Sequence, residues 1–165
     1  MPEFATEAGR EPYRMITSLF RRRARPDIDR LYGAIMAAAL DPALYARLGV
    51  PDTFEGRFEA ATLHMALVLR RFSQLPPPAA EVAQALVDHF FDGLDAAIRE
   101  RGIGDVAVPR RMKKFAQGFY GRLPAYALAL AEGDSRLAEA LGRNLLEGAE
   151  ASPALVARIQ ALAER

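Results

Sequence analysis

Apolar side chains recur at spacings of three and four residues along three long stretches of the sequence. This periodicity predicts amphipathic helices at about Thr53–Ser73, at Ala79–Arg101 and from Pro109 onward. The three prolines at positions 76–78 end the first of these helices, because proline cannot continue a helix. The apolar faces should form one core, whose main members are Phe54, Phe58, Met65, Phe90, Leu94, Phe115, Phe119 and Leu123.

Shorter helices flank this central set. Residues that favour helix ends place them at Asp27–Leu40, Asp41–Leu48, Arg136–Leu146 after an N-cap at Asp134, and Ser152–Ala163. Pro124 should kink the third long helix, since it removes one backbone hydrogen bond. No segment alternates polar and apolar residues as a strand would. The predicted fold is therefore all-α, a single domain of about six or seven helices packed around one core.

The two ends of the chain differ in character. The helical domain is expected to span residues 27–165, a length that suits one domain. Residues 1–26 are predicted to be a disordered, basic segment, in which residues 1–14 resemble a leader. The cations of this segment are Arg10, Arg14, Arg21, Arg22, Arg23 and Arg25.

Composition narrows the classes of function. Zero cysteines exclude disulfides, thiolate metal sites and cysteine nucleophiles. A net charge of +1 gives no global attraction to nucleic acid or lipid, so electrostatic binding has to come from local clusters. No apolar run reaches the roughly 20 residues of a membrane span, and the charge order does not fit a secretory signal. We expect a bacterial cytoplasmic protein, with peripheral contact at the inner membrane left open.

Three aspartates, Asp88, Asp92 and Asp95, share one side of the predicted helix Ala79–Arg101. Carboxylates at this spacing are able to hold a divalent cation, so an aspartate-rich, metal-dependent helical enzyme is one alternative. The sequence offers no second acidic cluster to complete a coordination shell. We therefore predict no metal and interpret this side as solvated or partner-facing, with Arg99 neutralising Asp95.

The other residue types that support catalysis do not form a recognisable set. His64 shares a seven-residue spacing with Arg57 and Arg71, which indicates a basic flank rather than a haem pocket. His89 has no titratable partner at a fixed spacing. The sequence has no nucleophile elbow and no phosphate-binding or dinucleotide-binding glycine motif. We therefore expect a protein that is not an enzyme and has no cofactor.

Four cations stand at the start of the third long helix. Arg110, Arg111, Lys113 and Lys114 fall within five positions, next to the apolar residue Phe115. The positive end of the helix dipole makes this an unfavourable place for cations. One interpretation is a solvated helix start, and the other is a binding site for an anionic partner, either RNA phosphate or anionic lipid. The sequence leaves both open.

Three segments of the chain resemble the ubiquinol–cytochrome c chaperone family. They are LYGAIMAAALDPALYARLGVPDTFEGRFEAATLHMALVLRR (Leu31–Arg71), LVDHFFDGLDAAIRE (Leu86–Glu100) and GIGDVAVPRRMKKFAQGFYGRLPAY (Gly102–Tyr126). The resemblance implies a non-enzymatic assembly factor that binds newly made cytochrome b and promotes assembly of the bc1 complex. It also implies a small protein partner and contact with the ribosome. A ribosome-binding or RNA-binding helical adaptor is the alternative.

Small residues predict a further contact surface on the third long helix. Gly118, Gly121 and Ala125 align with Lys114 beside the stripe of core aromatics. Interior glycines cost a helix about 1 kcal/mol each relative to alanine, so we look for a compensating role. One hypothesis is a shallow groove where a helix of the client or of a partner docks, flanked by Lys114 and Arg122. The other is that both glycines admit a neighbouring core helix or are simply tolerated.

Overall fold

The computed structural model describes residues 27–165, and the predictions for residues 1–26 lie outside this range. The described part consists of helices and the loops between them and contains no strand, which confirms the all-α prediction. A first helix, α1, covers residues 27–39. Six more helices follow, namely α2 Pro42–Ala46, α3 Phe54–Phe72, α4 Ala79–Glu100, α5 Val108–Glu132, α6 Asp134–Leu145 and α7 Pro153–Ala163.

Side-chain caps define several helix starts as the sequence indicates. Thr53 accepts a hydrogen bond from the Gly56 amide at 3.0 Å and begins α3. Ser152 accepts from the Leu155 amide at 3.3 Å and begins α7. Each cap satisfies a backbone donor that the helix itself leaves free, which stabilises the end by about 1 kcal/mol. These local signals therefore position the helices before any tertiary contact is considered.

Helix α5 lies at the centre of the bundle, in contact with α3, α4 and α6. Its side chains Phe115 and Phe119 meet Phe58 of α3 and Phe90 of α4, with ring centroids 4.6 Å apart for Phe58–Phe115 and 5.1 Å for Phe90–Phe119. Six of the eight predicted core residues are buried, and the other two, Phe54 and Leu123, are partly buried against the same core. The prediction of a single core from three helices is confirmed.

One local prediction differs from the structure. Asp134 is the first residue of α6 rather than its N-cap, and its carboxylate accepts a hydrogen bond from Gln160 of α7. The cap position is taken by Gly133, whose φ of 99° suits glycine and lets α5 end and α6 begin at one residue. Pro124 lies inside α5, which continues to Glu132, and the kink at this residue stays a prediction.

Glycines also allow close approach between segments. A Cβ atom at Gly56 would lie 2.0 Å from the Pro51 carbonyl oxygen, so only glycine fits where the loop passes the first turn of α3. A Cβ atom at Gly93 would lie 2.7 Å from the Tyr32 hydroxyl, which shows how closely α1 packs on α4. The backbone contact at Gly56 explains a glycine that helix propensity alone disfavours.

Candidate partner-binding surfaces

The four predicted cations all lie on the surface, at the beginning of α5. Arg110, Arg111, Lys113 and Lys114 are exposed, and none of them forms an ion pair with another residue of 27–165. The N-cap residue Ala107 supplies no side-chain hydrogen bond and the first turn contains no acidic residue. We call these four residues the basic cluster. Its positive charge adds to the positive end of the helix dipole, which favours an anion at this place.

Arg101, which no sequence pattern singles out, belongs to the same end of the bundle. Its guanidinium lies over the ring of Phe54, 4.9 Å from the centroid, and Phe54 in turn meets Phe115 of α5 at 5.6 Å between ring centroids. The helix α4 ends at Glu100, and a loop of residues 101–107 leads directly to α5. A fifth cation is therefore fixed near the start of α5 by an aromatic ring.

The exposed side of α5 changes character along the helix. Lys113 and Gln117 are followed by Tyr120, Pro124 and Leu128, and all five side chains are exposed. Tyr120 and Leu128 retain 55% and 60% of their surface in contact with solvent, although both are large apolar side chains. Tyr120 stacks on Phe91 of α4 at 6.0 Å, so its ring is held at the surface. We call Tyr120, Pro124 and Leu128 the apolar strip.

The predicted glycine groove is not present as one open surface, because Arg122 occupies part of it. A Cβ atom at Gly118 would lie 3.5 Å from a terminal nitrogen of Arg122 and 3.8 Å from the Phe58 ring, whereas one at Gly121 would meet nothing within 4 Å. The Arg122 Nη1 also donates to the Gly118 carbonyl at 3.3 Å. Gly118 therefore faces α3 and its own helix, and only Gly121 keeps a bare backbone surface.

Arg122 is not a free cation beside a groove, as the sequence suggested, because Glu59 of α3 pairs with it. Its Nη2 donates to Oε1 of Glu59 at 2.6 Å, and its Nε donates to the other carboxylate oxygen. Burial raises the pKa of Glu59, and the Arg122 guanidinium opposes that rise. No local pattern in the sequence indicates this pair, since its two members lie 63 positions apart.

The aspartates of α4 do not gather into a metal site. Asp88 accepts a hydrogen bond from Gln84 at 2.8 Å, and Asp92 is exposed. Asp95 pairs with Arg99 at 2.6 Å, as predicted, and Arg99 also reaches Asp105 at 2.7 Å. Within residues 27–165 no three acidic or histidine side chains converge as metal ligands would. This side of α4 is therefore a charged outer surface whose last aspartate is already neutralised.

The prediction that His64 belongs to a basic flank is wrong. His64 lies buried inside α3, and its Nδ1 donates to the Ala60 carbonyl at 2.8 Å. Burial lowers the pKa of His64, and the nearby Arg158 of α7 lowers it further, against the opposing effects of the Ala60 carbonyl and Asp41. Arg57, by contrast, is exposed and pairs with Asp52 at 2.8 Å. Residues seven positions apart do lie on the same side of a helix, but α7 packs on α3 near His64, so this position is buried while Arg57 stays exposed.

His89 lies at the contact between α1 and α4 rather than in a site of its own. Its ring centroid is 4.5 Å from that of Tyr32, and its Nδ1 is 3.5 Å from Asp29.

None of the helices among the described residues combines the length and the apolar character that crossing a membrane requires. The surface features that distinguish this molecule are thus the basic cluster and the apolar strip.

Comparison with known proteins gives the family. A family model described as "Ubiquinol-cytochrome C chaperone" matches residues 46–164. Among solved structures, a Cbp3 homolog from Brucella abortus is similar with 41% sequence identity and a TM-score of 0.75, over 90% of this chain and 88% of that chain. No curated protein matches the sequence significantly. Because the family model covers most of the sequence, the chain belongs to the ubiquinol–cytochrome c chaperone family.

Proposed function

We propose that this protein is a non-enzymatic chaperone that binds newly made cytochrome b and promotes assembly of the ubiquinol–cytochrome c reductase (bc1) complex. The observation that carries the proposal is the similarity to the Brucella abortus Cbp3 homolog, at 41% identity over 90% of the chain. The match of residues 46–164 to the chaperone family supports it independently. A helical bundle whose distinguishing features lie on exposed surfaces agrees with a role in binding rather than in turnover.

Loss of the protein tests this function directly. In a strain that lacks the gene, we expect the absorbance of cytochrome b to fall in isolated membranes while the cytochromes of other complexes stay constant. Re-expression of the full chain should restore it. Unchanged cytochrome b and unchanged bc1 activity in the deletion strain would contradict the proposal.

Affinity capture tests the claim that cytochrome b is the client. Affinity purification of the full chain from detergent-solubilised membranes should co-purify cytochrome b, together with any small protein partner. Recovery of other bc1 subunits without cytochrome b would support the assembly role but identify a different client.

Gly121→Leu serves as a surface variant, because a side chain at this position has open space around it. We propose that the surface near Gly121 contacts the client, so that this variant retains its fold but captures less cytochrome b.

Two charged surfaces are proposed to serve further partners. The basic cluster is suited to an anionic surface, and the aspartates Asp88 and Asp92 to a basic segment of the client or of a partner protein. Changing both aspartates to asparagine should leave the melting temperature nearly unchanged, because neither takes part in an ion pair among residues 27–165. Capture that is equally efficient with this variant would remove the acidic surface from the binding site.

The exposed cations favour one alternative function, that of a ribosome-binding or RNA-binding adaptor. Phosphate contacts require only cations and are strongly weakened by salt. The adaptor function predicts that the chain co-sediments with ribosomes, and that a variant with Gln at positions 110, 111, 113 and 114 does not. Under the chaperone function alone, cytochrome b accumulates normally with that variant.

A further inference from the structure

We propose that α5 lies along an anionic membrane surface, with the basic cluster at the lipid headgroups and the apolar strip inserted between them. This inference deepens the proposed role of the basic cluster and rests on it. It names one partner, a lipid bilayer, and adds Tyr120, Pro124 and Leu128 to the contact. It does not depend on whether cytochrome b is the client.

The arrangement of side chains on α5 carries the inference. Lys113, Gln117, Tyr120, Pro124 and Leu128 follow one another at steps of four, three, four and four, and all of them are exposed. At 1.5 Å per residue this side extends about 22 Å along the helix. One continuous surface therefore joins the cations at the start of α5 to uncharged side chains in its second half.

Beyond the basic cluster, α5 carries almost no charge, on its exposed side as well as on its buried side. Residues 115–131 contain a single ionisable cation or carboxylate, Arg122, and its charge is used in the pair with Glu59. Of the five large hydrophobic side chains that are exposed within residues 27–165, Tyr120 and Leu128 lie on this side, and Val106 stands two residues before the helix. Val106 is 96% exposed, at the same end as the basic cluster.

These features fit a bilayer better than they fit RNA. A nucleic acid presents phosphate along its whole length, and it would meet no free cation beyond Lys114 on this side of α5. A bilayer places its negative charge in the headgroups and its apolar phase directly beneath them. Tyrosine and leucine at this boundary, with lysine and arginine beside them, are typical of helices that lie in the membrane interface.

Vesicle binding by the full chain is the first measurement. We expect flotation with vesicles of about three parts phosphatidylcholine to one part phosphatidylglycerol, little flotation with phosphatidylcholine alone, and release at high salt. Changing Arg110, Arg111, Lys113 and Lys114 to Gln should weaken the partition into anionic vesicles by about tenfold or more. The matched control changes Arg21, Arg22, Arg23 and Arg25 to Gln, which removes the same formal charge and should have the smaller effect.

The apolar strip needs a separate test, because cations alone would also bind anionic vesicles. The double variant Tyr120→Ser and Leu128→Ser keeps every charge and should weaken the partition by about fivefold to tenfold. Leu40→Ser with Leu75→Ser is the control, since these side chains are also exposed, at 41% and 42%, but do not belong to α5. Circular dichroism and urea denaturation verify that all variants remain folded.

A fluorescent probe reports insertion directly. The chain contains no tryptophan, so Tyr120→Trp supplies the only indole. Its emission should shift to the blue when anionic vesicles are added, and brominated lipid should quench it. The variant Leu75→Trp should show neither change.

Three results would overturn the proposal. An unshifted emission of the Tyr120→Trp variant, together with unchanged flotation of the double serine variant of Tyr120 and Leu128, would limit α5 to a site for anions. Flotation that is lost only when Arg21, Arg22, Arg23 and Arg25 are changed would assign membrane contact to the N-terminal segment. Binding to ribosomes or RNA without binding to any vesicle would assign the basic cluster to nucleic acid. In each case, cytochrome b accumulation measured in cells tests the chaperone function separately.

Discussion

Arg122 and Glu59 form a two-pronged ion pair that joins the central helix α5 to α3. One guanidinium nitrogen lies 2.6 Å from a carboxylate oxygen, and a second nitrogen donates to the other oxygen. Only 27% of the Arg122 side chain and 16% of the Glu59 side chain are exposed. Removing one member leaves the other partly buried without a counter-charge, which costs more than the pair itself contributes.

The Arg122→Gln variant should therefore be destabilised in a pH-dependent manner. Burial raises the pKa of Glu59 above its usual value of 4.5, so the Glu59 carboxyl group binds a proton more tightly in the folded state than in the unfolded state. Without the Arg122 guanidinium the pKa of Glu59 rises further. The loss of stability relative to the wild type therefore grows as the pH rises through the pKa of Glu59 in the folded variant. We expect a deficit of about 2 to 3 kcal/mol at pH ~8 and a smaller one at pH ~5, from urea denaturation.

A double variant provides the control for this pair. Glu59→Gln combined with Arg122→Gln removes both charges, so its stability should lack the pH dependence that Glu59 contributes to the Arg122→Gln variant. An equal deficit for Arg122→Gln at both pH values would show that Glu59 is not the group that titrates.

Phe119 should be one of the most costly positions to truncate. Its side chain is fully buried, and its ring stacks on Phe90 at 5.1 Å and meets Phe91 at 5.2 Å. Phe119→Ala should lower the unfolding free energy by about 3 to 5 kcal/mol, since it leaves a cavity among these rings. Val106→Ala, at an exposed site, should change it by less than about 0.5 kcal/mol. A loss below about 1 kcal/mol for Phe119→Ala would contradict the packing of α5.

His64 should make the protein less stable in weak acid. Its pKa is lowered by burial, so the unfolded state takes up a proton at this residue before the folded state does. The unfolding free energy should fall as the pH drops from about 7 through 6 toward the lowered pKa. His64→Leu should flatten this part of the pH profile in chemical denaturation. His89→Gln keeps the buried imidazole of His64 and should retain the slope, whereas a slope that survives in His64→Leu would implicate another group.

Two helical glycines should respond to alanine in opposite directions. Gly121→Ala should raise the unfolding free energy by about 1 kcal/mol, because the new methyl group meets open space and alanine favours the helix. Gly56→Ala should lower it by about 2 kcal/mol or more, because the methyl group would overlap the Pro51 carbonyl oxygen. Thermal or urea denaturation measures both. A stabilised Gly56→Ala variant would mean that the loop before α3 moves away at little cost.

Most of the helices follow from the sequence, because their signals are local. Apolar spacing placed α3, α4 and the start of α5 within a few residues of their observed bounds, and the hydroxyl groups of Thr53 and Ser152 marked two helix starts. The burial of Phe115 and Phe119 followed from the same periodicity. The exposure of the basic cluster was also expected, since charged side chains on the outer side of a helix have no reason to be buried.

Which of the remaining polar and small residues are exposed and unpaired depends on how the helices pack. Arg122 forms an ion pair because Glu59 faces it from α3. Gly118 is covered because the Arg122 side chain lies over it. His64 is buried because α7 packs on the side of α3 that the sequence spacing had assigned to solvent. Such outcomes depend on how helices distant in the chain meet. Helix periodicity specifies which side of a helix is apolar. Which polar residues beside that apolar side are buried or paired depends on the helices that pack against it.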